Sequence, residues 1–189
     1  MILATRNPHK LAEFGRLLGS QRLEPLPDAV DLGPETGESF AENALGKARV
    51  AAAATGRVAI ADDSGIAAAA LDGAPGVRSA RFAGERASDE QNLALLIRLV
   101  PAGSPLSYVC AIAYVDPRAG VEAVFEGRCE GRMAAASRGS GGFGYDPVFV
   151  PAGEDGRTMA QLEAADKDAI SHRGAAARAL EAWLASERR

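Results

Sequence analysis

The chain has 189 residues, of which 47% are apolar and 24% charged, and its formal net charge is −4. These values predict one globular domain, and they argue against a broad nucleic-acid-binding face, which normally needs an excess of clustered lysine and arginine. Because no segment resembles a signal peptide or a membrane span, we expect a cytoplasmic protein that has no membrane partner.

The N-terminal part of the chain begins with a strand and a helix. Residues 1–4 form a short apolar run, and leucine and phenylalanine recur at helical spacing over residues 9–18. The segment TRNPHK, residues 5–10, joins the two. A loop rich in proline, aspartate and glycine follows around residues 25–37.

A second helix and a buried strand come next. The pattern S-x-x-E at Ser39 is typical of a capping box, and it predicts a helix over residues 40–55 that ends at Gly56. Residues 58–61 are fully apolar, which predicts a buried strand. We expect this strand to stop at a turn formed by ADDSG, residues 61–65.

The second half of the chain contains another helix, a hairpin and a helical end. Residues 88–100 carry an apolar stripe at helical spacing, and residues 106–115 and 121–132 predict two antiparallel strands around a five-residue loop, residues 116–120. A strand PVFV at residues 147–150 and a final helix from about 171 to 186 follow. The fold class expected is α/β, an elongated mixed β-sheet flanked by helices, in two lobes with the active site in the cleft between them.

The two cysteines, Cys110 and Cys129, lie in apolar stretches with no metal-ligand spacing. We expect buried free thiols rather than a disulfide or a metal site.

Five segments carry candidate chemistry, and TRNPHK is the first. Thr5, Asn7 and Lys10 follow a strand and open a helix, so backbone N–H groups, the helix dipole and an ammonium group can converge on a phosphate. The alternative is that Thr5 or Asn7 is a plain N-cap.

The next two segments carry carboxylates, and the first of them also carries a lysine. Glu42 and Lys47 lie on the second helix, where Glu42 can serve a metal or only complete the capping box. Asp62 and Asp63 in ADDSG can hold Mg²⁺, a hard cation that prefers oxygen ligands, or can form an Asx-turn with Gly65 at positive φ. No G-x-x-x-x-G-K-[ST] motif occurs, which excludes a P-loop NTPase.

The fourth segment, GSGGFGYDPVF at residues 139–149, matches the dinucleotide-binding pattern G-x-G-x-x-G. A proline three residues after the last glycine of the pattern prevents the helix that such a fold requires, so we reject that interpretation. The segment is either a close-approaching loop that presents Phe143 and Asp146 to a ligand, or an ordinary connection with Phe143 in the core.

The fifth segment, KDAISHRG, concentrates Lys167, His172 and Arg173 before the last helix. These donors suit purine oxygen and ring nitrogen atoms, and the alternative is a satisfied polar pair at the helix entry. Lys10, Lys47 and Lys167 are the three lysines of the chain, and all lie within these segments.

Taken in order, ATRNPHK, SFAENALGKA, ADDSGI, GAPGVRSARFAG, GSGGFGYDPVF and SHRG resemble the inosine triphosphate pyrophosphatase family, the Ham1-like house-cleaning nucleotide diphosphatases. The resemblance spans the chain and implies that residues 1–189 form a single Ham1-like domain with two lobes. It also implies a homodimer and a mixed sheet. The chain departs from the family pattern at Ile66, where leucine is usual, and in the small residues of the run 67–70.

The resemblance implies a role for each matching residue. Asp63 is expected to be the general base, and Glu42 and Asp63 are expected to hold Mg²⁺. The residues expected at the phosphates are Thr5, Arg6, Asn7, Pro8, His9, Lys10, Lys47, Asp62 and Ser64. Those expected at the nucleoside are Phe143, Gly144, Tyr145, Asp146, Lys167, His172 and Arg173.

The implied reaction is the hydrolysis of non-canonical purine nucleoside triphosphates (ITP, dITP and XTP) to monophosphate and pyrophosphate. Two rivals are a Maf-like nucleotide pyrophosphatase with another base preference and a non-catalytic nucleotide-binding module. The segments SHRG and FGYD favour the first family over the Maf-like group, and ADDSG argues against a pure binding module, which needs no water-activating carboxylate.

Overall fold

A computed structural model describes residues 1–187, which fold into five α-helices and six strands. The helices are α1 (Pro8–Leu17), α2 (Phe40–Thr55), α3 (Asp89–Leu99), α4 (Ala164–Ile170) and α5 (His172–Glu187). The strands are β1 (Ile2–Leu3), β2 (Glu24–Pro25), β3 (Ala59–Ala68), β4 (Pro105–Asp116), β5 (Val121–Met133) and β6 (Phe149–Pro151). Within residues 1–187, every helix is too short or too polar to cross a lipid bilayer.

All six strands belong to one mixed sheet in the order β2-β1-β3-β4-β5-β6. Strand β1 pairs in parallel with both β2 and β3, whereas β5 and β6 are antiparallel. Strands β4 and β5 are neighbours in the sheet and are joined by four residues, one fewer than the five-residue loop that the sequence pattern predicted. The predicted α/β class with a mixed sheet is confirmed.

Helix α2 shows how local chemistry sets element boundaries. Ser39 is its N-cap and accepts a hydrogen bond from the Glu42 N–H, while Gly56 ends the helix in the left-handed conformation, at φ 63°. Both ends therefore agree with the prediction from the sequence. Only half of the capping box forms, because the Glu42 carboxylate accepts its hydrogen bond from the Glu38 N–H, at 2.7 Å, and not from Ser39.

The turn predicted at ADDSG is wrong, because β3 runs through this segment as far as Ala68. Gly65 is not at positive φ, so the Asx-turn alternative is wrong too. A Cβ atom on Gly65 would lie 2.3 Å from Ser79 Oγ and 2.6 Å from the Gly76 carbonyl oxygen. Glycine is therefore required here by close packing against a neighbouring 3₁₀ turn, not by turn geometry.

The C-terminal strand differs slightly from its prediction. Residues Asp146–Val148 form a 3₁₀ turn, and β6 covers Phe149–Pro151 rather than 147–150. No α-helix follows the glycine-rich segment directly, which agrees with the rejection of a dinucleotide-binding loop.

The chain divides into two compact units. The first contains residues 1–63, 110–127 and the described chain from Arg173 onward. Its interior has one cluster of small residues against α2 and a second cluster around Phe14, Cys110 and Leu180. Cys110 is a buried free thiol, as predicted.

The second unit contains residues 64–109 and 128–172. Its core is built around Tyr108, Tyr145, Phe149 and Met159, all of which are at most 7% exposed. Cys129, the other cysteine, is also a buried free thiol in this core.

Candidate active site

The start of α1 shows that Asn7 is an N-cap. Its Oδ1 atom accepts hydrogen bonds from the backbone N–H groups of His9, at 2.9 Å, and Lys10, at 3.2 Å. Pro8 occupies the first helical turn, and the Asn7 N–H donates to Thr5 Oγ1. The side-chain oxygen of Asn7 therefore serves as the N-cap, and this cap fixes the start of the helix that carries Lys10.

Arg6 is engaged with the loop that follows β2. Its guanidinium donates to the carbonyl oxygens of Leu26, Pro27, Asp28 and Val30 at 2.7–3.2 Å, and also to the Asp28 carboxylate. The guanidinium therefore ties the loop 26–30 to the segment that precedes α1.

Asp62 on β3 is surrounded by cations. Its Oδ2 atom lies 2.8 Å from Lys10 Nζ and 3.8 Å from Arg173 Nε, and the residue is only 1% exposed. Burial opposes ionisation, but the positive charges of Lys10, Arg173 and Lys47 outweigh it and hold the pKa of Asp62 well below its usual range. This carboxylate is therefore ionised at neutral pH.

Glu13 fixes the other end of the Arg173 side chain. Arg173 Nη1 donates to Glu13 Oε2 at 2.8 Å, and both residues are buried. The sequence grouped Arg173 with His172 as a base reader, yet its guanidinium contacts carboxylates of the first unit. His172 itself belongs to the second unit.

Asp63 has a different environment from Asp62. Its Oδ2 atom accepts a hydrogen bond from Asn43 Nδ2 at 2.9 Å, and Oδ1 lies 3.9 Å from Lys47 Nζ. Burial raises the pKa of Asp63, and the charge of Lys47 only partly opposes that rise. Two adjacent carboxylates thus differ in basicity, and Asp63 is the one suited to accept a proton.

Lys47 is held between carboxylates on α2. Its ammonium group lies 2.5 Å from Glu35 Oε1 in the loop before the helix. Burial disfavours the charged form, but Asp62, Asp63 and Glu35 together raise the pKa of Lys47. The lysine is therefore firmly cationic, as a phosphate ligand must be.

The second unit holds a separate polar cluster around Asp146. Its Oδ2 atom accepts from Lys167 Nζ at 2.7 Å and from the Phe143 N–H at 3.0 Å. Its Oδ1 atom accepts from the Tyr108 hydroxyl at 3.1 Å. Lys167 Nζ also lies 5.4 Å from the centre of the Phe143 ring, within cation–π range.

Aromatic contacts complete this cluster. The Tyr108 ring stacks on the His172 imidazole, with centroids 4.6 Å apart and planes within 10°. Tyr145 faces the core instead, where its hydroxyl donates to the Ser79 carbonyl oxygen at 2.7 Å. Phe143 is only half-buried, so it is not a core residue, which removes the alternative that the sequence left open.

The glycine-rich segment is shaped by close contacts. A Cβ atom on Gly142, which has φ +71°, would lie 2.0 Å from Asp146 Oδ2. A Cβ atom on Gly139, which has φ +81°, would lie 2.3 Å from the Ala160 carbonyl oxygen. These glycines let the backbone approach Asp146 closely enough for the Phe143 N–H to donate to it.

The structure therefore brings most predicted residues into two groups. Lys10, Lys47, Asp62 and Asp63 meet in the first unit, and Phe143, Asp146, Lys167 and His172 meet in the second. Thr5, Asn7 and Pro8 lie at the start of α1, His9 is exposed on its first turn, and Ser64 follows Asp63 on β3. Gly144 lies between Phe143 and Tyr145 at φ +60°.

Three functional candidates were missed by the sequence analysis. Glu35 lies in an irregular loop without periodicity, Glu13 lies on the buried side of α1, and Tyr108 resembles any core residue of an apolar strand. A charged residue at a buried helical position was the one available signal, and it applies to Glu13.

The chain is similar to known proteins over nearly its whole length. The sequence model of the Ham1 family matches residues 1–183. A dITP/XTP pyrophosphatase of Mycolicibacterium paratuberculosis is 50% identical over 95% of this chain and 93% of its own, and one of Frankia alni is 49% identical over 97% and 96%. A solved structure of a HAM1 protein from Coxiella burnetii superposes with a TM-score of 0.85 at 40% identity, covering 98% of both chains.

Proposed function

The chain belongs to the Ham1 family, and on that premise we propose that it hydrolyses non-canonical purine nucleoside triphosphates to monophosphate and pyrophosphate. The substrates are ITP, dITP and XTP, and the reaction cleanses the nucleotide pool. One observation carries the proposal: Asp62 and Asp63 are adjacent on β3, the first held ionised by Lys10 and Arg173 and the second more basic beside Lys47. The names of the curated relatives, dITP/XTP pyrophosphatase, support the choice of substrate.

The triphosphate is assigned to the first unit. Lys10 and Lys47 are partly buried cations that already neutralise carboxylates, and they supply positive charge to the phosphate oxygens. Thr5, Asn7, Pro8 and His9 belong to the same helix start, where backbone N–H groups favour anions. Asp62 and Ser64 flank the reacting carboxylate. Arg6 serves the phosphates indirectly, by holding the loop 26–30.

Mg²⁺ is assigned to Glu42 and Asp63. Within residues 1–187 no three metal-binding side chains are already gathered. Mg²⁺ is commonly bound by one or two carboxylates together with substrate phosphates and water, so an all-oxygen pair of this kind fits a metal that arrives with the nucleotide. When bound, the metal neutralises phosphate charge and polarises the phosphoryl group.

The side chains of the first unit perform the remaining chemistry. The Asp63 carboxylate accepts a proton from water while the water oxygen bonds to phosphorus and the P–O bond between monophosphate and pyrophosphate breaks. Asn43 holds Asp63 Oδ2, which leaves Oδ1 as the oxygen nearer to Lys47. The lysine charges stabilise the pyrophosphate as it leaves.

The base is assigned to the second unit. Phe143 offers a half-exposed ring for stacking, and Lys167 and His172 offer donors to a 6-oxo group. The 6-amino group of adenine would meet these donors with its own hydrogens, which costs roughly 1–3 kcal/mol for each unpaired group. Gly144, Tyr145 and Asp146 shape the loop, and Arg173, which follows His172 at the start of α5, is held by Glu13 and Asp62.

The family resemblance also leads us to propose a single domain over residues 1–189, a homodimer and a cytoplasmic location. Light scattering on the purified protein and fractionation of the source cells test the last two.

The direct test is to incubate the protein with Mg²⁺ and dITP, XTP, dATP or dGTP and to measure pyrophosphate. We expect release from dITP and XTP and much less from the canonical nucleotides. Equal turnover of all four would contradict the selectivity, and orthophosphate as the first product would contradict the reaction. Binding of dITP without any turnover would support a nucleotide-binding module instead.

A variant separates chemistry from binding. Asp63→Asn should keep nucleotide binding and lose turnover by about 10²- to 10⁴-fold, as expected when a general base is removed. Asp155→Asn is the matched control, because its carboxylate is 72% exposed and paired only on the surface. Full activity of Asp63→Asn would remove Asp63 from the proposed role.

A further inference from the structure

Tyr108 lies at the centre of the polar cluster of the second unit, although neither its strand nor its neighbours in sequence mark it out. It is on β4, is 6% exposed, and is part of the core around Phe149. It contacts two of the proposed base-binding residues directly, His172 and Asp146. Its position therefore joins two elements that are distant in sequence.

The ring of Tyr108 fixes the plane of the His172 imidazole. The two rings are nearly parallel, at 10°, and the opposite contact of Tyr108 is with Phe149, at 4.3 Å between centroids and 29° between planes. Phe149 is fully buried, so the tyrosine is packed against a rigid part of the core. The stacked Tyr108 ring therefore resists rotation of the His172 imidazole out of its observed plane.

The hydroxyl of Tyr108 fixes the Asp146 carboxylate. It donates to Oδ1, while Oδ2 accepts from Lys167 Nζ and from the Phe143 N–H. Both oxygens are thus engaged, and the carboxylate plane is defined from two sides. Since Lys167 is itself 6% exposed and bonded to Oδ2, the orientation of the carboxylate determines where the ammonium group lies.

We propose that Tyr108 is a positioning residue for base selection: it holds His172 and, through Asp146, Lys167 in the arrangement that distinguishes a 6-oxopurine from a 6-aminopurine. The inference rests on the proposed function for the identity of the base. It adds a residue that acts through two others.

Selectivity should be more sensitive to Tyr108 than overall turnover is. Hydrogen bonds weaken steeply as the donor moves out of line, so a small rotation of an imidazole or ammonium donor reduces the advantage of a 6-oxo acceptor. The reacting phosphate is served by residues of the first unit, which Tyr108 does not belong to. A change at Tyr108 therefore raises KM for dITP and leaves kcat nearly unchanged.

The test uses Tyr108→Phe, which keeps the ring stack and removes only the hydroxyl. One hydrogen bond of this kind corresponds to about a 3- to 10-fold effect, and we expect the preference for IMP over AMP in equilibrium binding to fall by that factor. Tyr108→Leu removes the stack as well and should reduce the preference further. Tyr114→Phe is the matched control, since it makes the same change six residues along the same strand, within the first unit.

Calorimetric binding of IMP and AMP is measured beside KM and kcat for dITP and dATP. A merely structural role would lower the active fraction and scale all nucleotides equally, leaving both preferences unchanged, and that result would overturn the inference. Wild-type protein that prefers IMP in binding but releases no pyrophosphate would contradict the proposed reaction alone, because the Tyr108 variants are still compared by binding. Wild-type protein with no preference for IMP would overturn the inference together with the proposed selectivity.

Discussion

Replacing Asp146 with asparagine is expected to destabilise the protein strongly, because the change leaves a buried ammonium group without its counter-charge. The side chains of Asp146 and Lys167 are 5% and 7% exposed, and their charged atoms are 2.7 Å apart. Asparagine has nearly the same shape and still offers an oxygen to the Tyr108 hydroxyl. The variant therefore removes charge and leaves packing almost intact.

The magnitude follows from this burial. Removing one partner of a buried ion pair costs about 3–5 kcal/mol, and the retained amide oxygen places Asp146→Asn near the lower end, at about 3 kcal/mol. In a chain of this size each kcal/mol shifts Tm by about 2–4 °C, so the expected loss is about 6–12 °C.

Thermal and urea unfolding followed by far-ultraviolet circular dichroism measure this loss. The surface control Asp155→Asn should stay within about 0.5 kcal/mol of the wild type. The double variant Asp146→Asn with Lys167→Met removes the unpaired charge and should recover at least about 1 kcal/mol relative to Asp146→Asn alone. A loss below about 1 kcal/mol in the single variant, or purely additive losses in the double variant, would refute the reasoning.

Four further predictions concern the packing of Gly65, the two aspartates of β3 and the metal. Gly65→Ala should cost about 1–3 kcal/mol of unfolding free energy because its Cβ would overlap Ser79. Gly46→Ala, with open space around it in α2, should instead stabilise the protein by about 0.5–1 kcal/mol, and equal effects in chemical unfolding would contradict the packing argument. The lowered pKa of Asp62 means that its ionised form stabilises the fold above the pKa of this group in the unfolded chain. The difference in unfolding free energy between wild type and Asp62→Asn should therefore be constant from pH 5 to 8 and shrink as pH falls below about 4, and a difference that grows in acid would have the wrong sign. The raised pKa of Asp63 predicts that, in metal-free protein, carboxyl NMR finds its titration midpoint above that of an ordinary aspartate, and a midpoint below it would contradict the desolvation argument. Chelation of divalent cations should stop pyrophosphate release, and added Mg²⁺ should restore it; turnover in excess chelator would remove the metal from the reaction.

The sequence by itself determined those features whose physics is local. The bounds of α2 follow from a serine cap and a glycine in the left-handed conformation, both of which act within one turn of the helix. The β4–β5 hairpin follows from two alternating segments around a short polar loop. The ordered motifs also identified the family, because each preserves residue types in chain order and needs no knowledge of contacts.

The tertiary structure decided everything that depends on which segments meet. ADDSG reads locally as a turn, but pairing within the sheet keeps it extended, and the packing of Ser79 makes Gly65 necessary. The local pattern also grouped Arg173 with its neighbour His172, whereas consecutive side chains on a helix point in different directions and Arg173 reaches Glu13 and Asp62.

Tyr108 shows the same limit most clearly. Within β4 it is one apolar-looking residue among many, and nothing in the alternation separates it from its neighbours. Its proposed role comes from His172 and Asp146, which are 64 and 38 residues away in the chain. Contacts over such separations are set by the folding of the whole unit, because stacking and hydrogen bonding act over a few ångströms in space and leave no periodic trace in the sequence.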